Sequence, residues 1–242
     1  MRWAQGRVSV EDSVQAPRAV RGEWLRDHFF SGISSATLGL VQFSFETLWF
    51  GPINLLRFGE PVESDHEVSW PIEGGLLAAA PGGYFTIRGD GGRLTARITG
   101  YRPSLPRKLY ELTQLQVHHG LVRQQLLWIR GRSPAAGIPA SPIRRGLAGA
   151  IDVALCASIA MAVWRGRRFT ALAGITAGYH LACWTASGRT IGGFLMGQRV
   201  VAVDGSKPSL VQAALRLLTL PLALVKLRAV HDEVAATDVV ED

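Results

Sequence analysis

The chain has 242 residues, a formal charge of +7, 48% hydrophobic and 19% charged residues, and a mean hydropathy of +0.16. High apolar content with few charges excludes a disordered or acidic-tail protein and leaves room for one large or two small cores. Of its 26 basic residues 23 are Arg, and in the second half these flank apolar runs instead of gathering on one face between polar readers, which argues against nucleic-acid binding.

Residues 1–27 are polar and charged. Met1–Arg26 has no apolar stretch followed by a small-residue cleavage site, so no signal peptide is expected and the N-terminus is placed on the cytoplasmic side. From Phe29 to Leu56 the chain turns apolar, but Ser34, Ser35, Gln42, Ser44, Glu46 and Pro52 dilute it. The expectation is an amphipathic helix in a soluble or membrane-surface domain, with a membrane helix as the alternative.

Residues 67–101 change period. Tyr84–Arg88 and Arg93–Ile98 alternate around Asp90-Gly91-Gly92, the pattern of a β-hairpin, and Gly74-Gly75 and Pro81-Gly82-Gly83 mark further turns. A small antiparallel sheet is expected. From Arg107 to Arg130, Leu109, Leu112, Leu115, Val122, Leu126 and Ile129 recur at helical spacing, predicting an amphipathic helix. His118 and His119 lie within it. Adjacent helical residues point about 100° apart, so a solvated or packed role is expected over a shared metal.

Three prolines and two glycines between Gly131 and Pro142 read as a linker. The predicted organisation is an α+β domain at 1–132, a Pro/Gly linker at 133–143, and a helical membrane module of two to three transmembrane helices at 144–242. Between Ser133 and Val225 the only acids are Asp152 and Asp204. Gly146–Trp164 carries one charge, Asp152, and at 1.5 Å per residue spans roughly 28 Å, about a hydrocarbon core. Ala171–Ser187 carries none, and its Gly174 and Gly178 suit close helix packing in lipid. Leu210–Val225 is a third run, broken by Arg216 and Pro221. Gln212, Arg216 and Thr219 form one polar stripe, so this helix either spans facing partners or lies in the interface with Arg216 snorkelling.

Arg130, Arg132, Arg144, Arg145, Arg189, Arg199 and Lys207 flank the open ends of the hairpin formed by the first two runs, against three arginines in its turn. The positive-inside rule then places both ends in the cytoplasm of a multi-pass plasma-membrane protein. Cys156 and Cys183 sit inside the runs and read as small buried hydrophobes.

Asp152 is the most informative position. A carboxylate within a spanning helix costs about 2.5–3.5 kcal/mol on insertion scales and needs a partner or a wet cavity. Arg145 two turns earlier, His180 at similar depth in the folded hairpin, and Arg216 on the third run are its candidate partners. A purely structural register lock is the competing reading.

Arg145 and Asp152, seven apart at the head of the first membrane helix, resemble the RDD family of membrane proteins. So does the stretch Thr190-Ile191-Gly192-Gly193 through Gly197, Val200-Val201 and Asp204-Gly205, followed by Arg216 in the next helix. Arg228 through His231-Asp232, closing with Thr237-Asp238-Val239-Val240, is similar to the family's His-Asp ending. Gly193 stands where the family usually has Lys. The resemblance covers roughly residues 144–240, and maps the family's arginine and two aspartates onto Arg145, Asp152 and Asp232. It implies a membrane module without a defined substrate, since some members look like cation/proton exchangers and others like accessory or assembly proteins.

Three functions follow: a membrane-anchored assembly or accessory protein; a cation/proton or small-solute transporter using Asp152 and His180; and a membrane-tethered ligand-binding protein or enzyme with its site in residues 67–130. The first is expected, with the bilayer, anionic headgroups and a homo-oligomer or membrane-protein partner as its contacts. No Walker motif, nucleotide fingerprint or Ser-His-Asp elbow occurs, and His231-Asp232 lacks further ligands, so no cofactor, metal or enzymatic activity is expected.

Overall fold

The computed structural model describes residues 1–163, 168–226 and 229–242, which divide into two compact units, Met1–Ser133 and Pro134–Asp242.

The first unit opens with β1 (Arg2–Ala4) and β2 (Arg7–Gln15), then α1 (Gly22–His28) and α2 (Ile33–Ala36). Seven strands follow: β3 (Val41–Ser44), β4 (Thr47–Phe50), β5 (Ile53–Phe58), β6 (Val62–Ser64), β7 (Glu67–Gly74), β8 (Tyr84–Gly89) and β9 (Arg93–Tyr101). Two helices close it, α3 (Arg107–Leu112) and α4 (Gln114–Arg130). The sheet has nine strands, all pairs antiparallel, in the order β1-β2-β9-β8-β7-β5-β4-β3 with β6 on β7.

This corrects two expectations. The sheet is large, and residues 41–58 are strands instead of an amphipathic helix. In Val41–Ser44 and Thr47–Phe50 the β-branched and aromatic residues fit a pleated, half-buried surface, and the two-residue turn Phe45-Glu46 joins them, both residues at positive φ as a tight hairpin turn requires. The hairpin expected around Gly91-Gly92 is present as β8 and β9, with Phe85 paired to Ile98 and Ile87 to Ala96. Gly83 lies where an added Cβ would sit 2.5 Å from the Thr99 carbonyl, so only glycine lets β8 begin there.

Alternate residues of the central strands form the core: Val10 and Val14 from β2, Val68, Trp70 and Ile72 from β7, Phe85 and Ile87 from β8, Leu94 and Ala96 from β9. The helix expected over 107–130 breaks at Thr113 into α3 and α4, and α4 lies against β2 and β9, burying Leu115, Leu126 and Leu127. The same register puts Asp12 opposite Ala96, on the inward row between Val10 and Val14. There His119 Nδ1 lies 2.6 Å from Asp12 Oδ1 and His118 Nε2 lies 3.5 Å from Asp12 Oδ2. The histidine pair therefore meets a half-buried carboxylate, and no cluster of three His, Cys, Asp or Glu that could hold a metal occurs among the described residues.

The second unit comprises α5 (Pro142–Val163), α6 (Arg168–Ala186), α7 (Ile191–Leu195), β10 (Gln198–Ala202), α8 (Leu210–Lys226), α9 (Val230–Ala235) and β11 (Thr237–Glu241). Strands β10 and β11 pair antiparallel, Val200 opposite Val239. Part of the Pro/Gly segment is built into this unit. Ala140 N donates to Val239 O, Glu241 N donates to Ile138 O, and Pro139 bridges Val240.

Candidate functional site

In the second unit α5 and α8 bury polar side chains and expose large apolar ones. On α8 the stripe Gln212, Arg216 and Thr219 is buried, while Leu210, Leu218 and Leu222 on other faces are exposed. On α5 Asp152 is buried and Ile143, Leu147, Val153 and Met161 are exposed. Helix α5 is long and apolar enough over Pro142–Ala162 to cross a membrane, and only 22% of that stretch is buried inside the protein, whereas the core helix of a soluble protein is mostly covered. Helix α8 supplies a shorter apolar stretch, Leu210–Leu222.

Two buried carboxylates organise this interior. Asp232, 1% exposed at the start of α9, meets Arg145 from α5 and Arg216 from α8. Arg216 Nη1 also donates to Thr237 Oγ1 at 3.0 Å, and Thr237 Oγ1 donates to Asp232 Oδ1 at 3.1 Å. The guanidinium of Arg216, itself 5% exposed, lies 5.0 Å from the ring centre of Trp184 on α6, a cation–π contact in a dry setting. Gln212 Nε2 donates to the carbonyls of Ala235 and Ala236, satisfying the open C-terminal end of α9. One aspartate thus gathers three helices and a strand.

Asp152 Oδ1 accepts from Tyr179 Oη on α6 at 2.7 Å and from the Gly192 amide at the start of α7 at 2.8 Å. Tyr179 Oη in turn accepts from Ile191 N at 2.7 Å. The contact depends on close approach, because a Cβ at Gly192 would fall 2.1 Å from Ala148 O and 3.0 Å from Asp152 Cγ. Thr190 caps α7 through Gly193 N.

The sequence-derived candidates distribute as follows. Arg145 and Arg216 each reach a buried aspartate, but it is Asp232 and not Asp152. His180 is buried and directs Nδ1 to the Thr176 carbonyl of its own helix at 2.8 Å, leaving its neighbour Tyr179 as the partner of Asp152. Arg216 points inward and does not snorkel. His231 Nε2 lies 3.6 Å from Asp232 Oδ2. Asp204 forms a local turn, accepting from Ser206 N at 3.1 Å. Arg228 lies outside the described residues. Gly193 is buried within the α7 cap, with the Gln198 carbonyl and Thr190 Oγ1 each 3.1 Å from where a Cβ would be. Sequence reasoning missed Trp184 and Thr237 as members of the Asp232 cluster. Thr237 stood in the motif that closes the chain, while Trp184 carried no signal beyond its helix.

Residues 168–231 match the model of the RDD family, so the chain carries an RDD family domain there, while its N-terminal region is unassigned. The matched segment includes Tyr179, His180, Trp184, Gly192 and Arg216; Arg145 and Asp152 precede it and Asp232 follows it directly. No curated protein and no solved structure matches the chain.

Proposed function

We propose that this chain is a multi-pass integral membrane protein of the RDD type that serves as a membrane-anchored assembly or accessory protein, with residues 1–133 as its cytoplasmic domain and without enzymatic activity of its own. The observation that carries the reading is the engagement of both buried carboxylates in ties between helices. Asp152 binds α5 to α6 and α7; Asp232 binds α9 to α5 and α8. A proton-carrying acid needs a partner it can release into a wet path, whereas a register lock needs fixed donors. The inverted patterning of α5 and α8 supports lipid around them, since exposed apolar faces of this extent are costly in water. In this reading α5 and α6 form an antiparallel hairpin oriented by the basic residues at its open ends; the expected turn with Arg165 and Arg167 lies outside the described residues. The cytoplasmic domain meets anionic headgroups through a cleft of about 670 Å³ lined by Arg18, Arg21, Arg130 and Arg132, together with Glu23 and Asp27.

The test is cation-dependent proton flux in everted vesicles, with wild type and Asp152→Asn at matched membrane levels. Flux no greater than in empty vesicles is expected from both proteins. Wild-type flux abolished by the substitution would make the protein a carrier and overturn the assembly reading. Release of the chain from membranes by alkaline carbonate would overturn the membrane reading itself.

A further inference from the structure

The first unit contains a half-open cavity of about 650 Å³, within the range of small-molecule sites. Phe29, Phe30 and Phe58 line it from one side, and one face of α4 covers it. Gln114, His118, Leu121, Val122 and Gln125 recur on that face at spacings of one to four residues over three turns, about 16 Å of helix. No Arg, Lys, Asp or Glu is among its lining residues.

Seven of its lining residues carry a polar side-chain group, and some of these are incompletely engaged. Tyr101 donates to the Leu77 carbonyl and accepts from Gln114 Nε2 at 2.8 Å. Gln114 Oε1 and Gln125 Nε2 have no hydrogen-bond partner, and Gln125 is only 2% exposed. A buried amide N–H left open costs about as much as a lost hydrogen bond, so its presence at an apolar cavity wall marks a place where an acceptor is expected. At the edge, Leu40 and Phe50 line the cavity while remaining 60% and 44% exposed. Leu38 and Ile53, also exposed, extend the same end of β3–β5, and Leu38 takes a left-handed φ of +53°. A bulky residue held there without glycine's freedom is strained backbone at an apolar rim.

We propose that the N-terminal unit holds one uncharged lipid, its hydrocarbon chain along α4 and an acceptor such as a carbonyl at Gln125, drawn from the bilayer to which the second unit tethers it. The source of the lipid rests on the membrane reading; the cavity does not. An anionic head is excluded because no cation lines the wall, and a carboxylate or sulfonate there would be buried without compensation. A strongly hydrated metabolite is a poorer fit, because most of the lining residues are aliphatic or phenylalanine. The exposed rim of Leu38, Leu40, Phe50 and Ile53 is the mouth through which an apolar chain enters.

The experiment uses the full chain in phosphatidylcholine vesicles with two photoactivatable diazirine–alkyne probes of equal chain length, a monoacylglycerol and an alkyl sulfonate. After irradiation, labelled peptides are mapped by mass spectrometry. The monoacylglycerol is expected on peptides spanning 29–58 and 114–125, at least about tenfold above the sulfonate, with both probes on α5. Gln125→Leu raises the half-saturating concentration about fivefold, the effect of one lost hydrogen bond, and leaves α5 labelling unchanged. Val122→Trp fills the cavity and abolishes labelling there; if it does not fold, Gln125→Leu decides alone. Labelling of α5 with none at the cavity, or equal cavity labelling by both probes, overturns the proposal. Cavity labelling with α5 unlabelled keeps the binding site and overturns the membrane reading.

Discussion

The Asp232 cluster gives the sharpest test of how the second unit is held together. Asp232→Asn removes one charge and almost no volume, and leaves Arg145 and Arg216 facing a neutral amide. Arg145 has 28% of its side chain exposed and can turn outward, but the Arg216 side chain, 6% exposed beneath Trp184, cannot. Breaking one side of a buried pair costs about 3–5 kcal/mol, mostly the uncompensated charge left behind. For a chain of this size each kcal/mol moves the melting temperature by about 2–4 °C, so a fall of about 10 °C or more is expected in a thermal melt of the detergent-solubilised protein followed by tryptophan fluorescence. Adding Arg216→Met removes the stranded charge and is expected to recover at least half of that loss, which is the coupling a double-mutant cycle reads. A fall under about 3 °C for Asp232→Asn, or a double variant less stable than the single one, would refute the claim that this pair locks α8 to α9.

Gly192→Ala should be among the most damaging single-methyl additions in the chain, because the new Cβ meets the Ala148 carbonyl at 2.1 Å and forces α7 off Asp152; loss of folded protein on size exclusion checks it, and a wild-type elution profile and yield would sink the idea. In the first unit, burial pushes the His118 imidazole down to about 4, with Asp12 opposing and His119 acting in the same direction as burial. Its ordinary value is 6.5, so the unfolded chain binds the proton first. The stability this confers is complete above pH 6.5 and is lost as the pH falls toward 4, with about 2 kcal/mol gone by pH 5. His118→Leu should flatten that dependence, and parallel acid sensitivity in melts of both proteins at pH 7.5 and 5.0 would refute the assignment.

Much of the architecture is legible in the sequence. Arginines bounding long apolar runs placed α5, α6 and α8 within a few residues, because apolar runs of that length are too long for strands and fold as helices. Period-two alternation around Gly91-Gly92 gave β8 and β9. Residues 29–56 were misread because their strands are only four to six residues long. Two or three residues per face cannot separate period 2 from period 3.6, and the pairing partners that fix such strands lie elsewhere in the chain.

The Asp152 and Asp232 environments divide in the same way. From sequence alone, a carboxylate in an apolar helix must be satisfied, and Arg145, His180 and Arg216 are the candidate partners. Which partner each acid takes is a matter of helix rotation and of how closely two backbones approach. That choice fell to Tyr179 over His180 because α7 comes close enough, through Gly192, to hold the tyrosine hydroxyl with its own amide. It fell to Asp232 for both arginines because α9 and β11 return the chain's end between α5 and α8. Hydrophobic patterning is local and survives in the sequence. The pairing of buried charges, and the cavity beneath α4, exist only once distant segments are packed together.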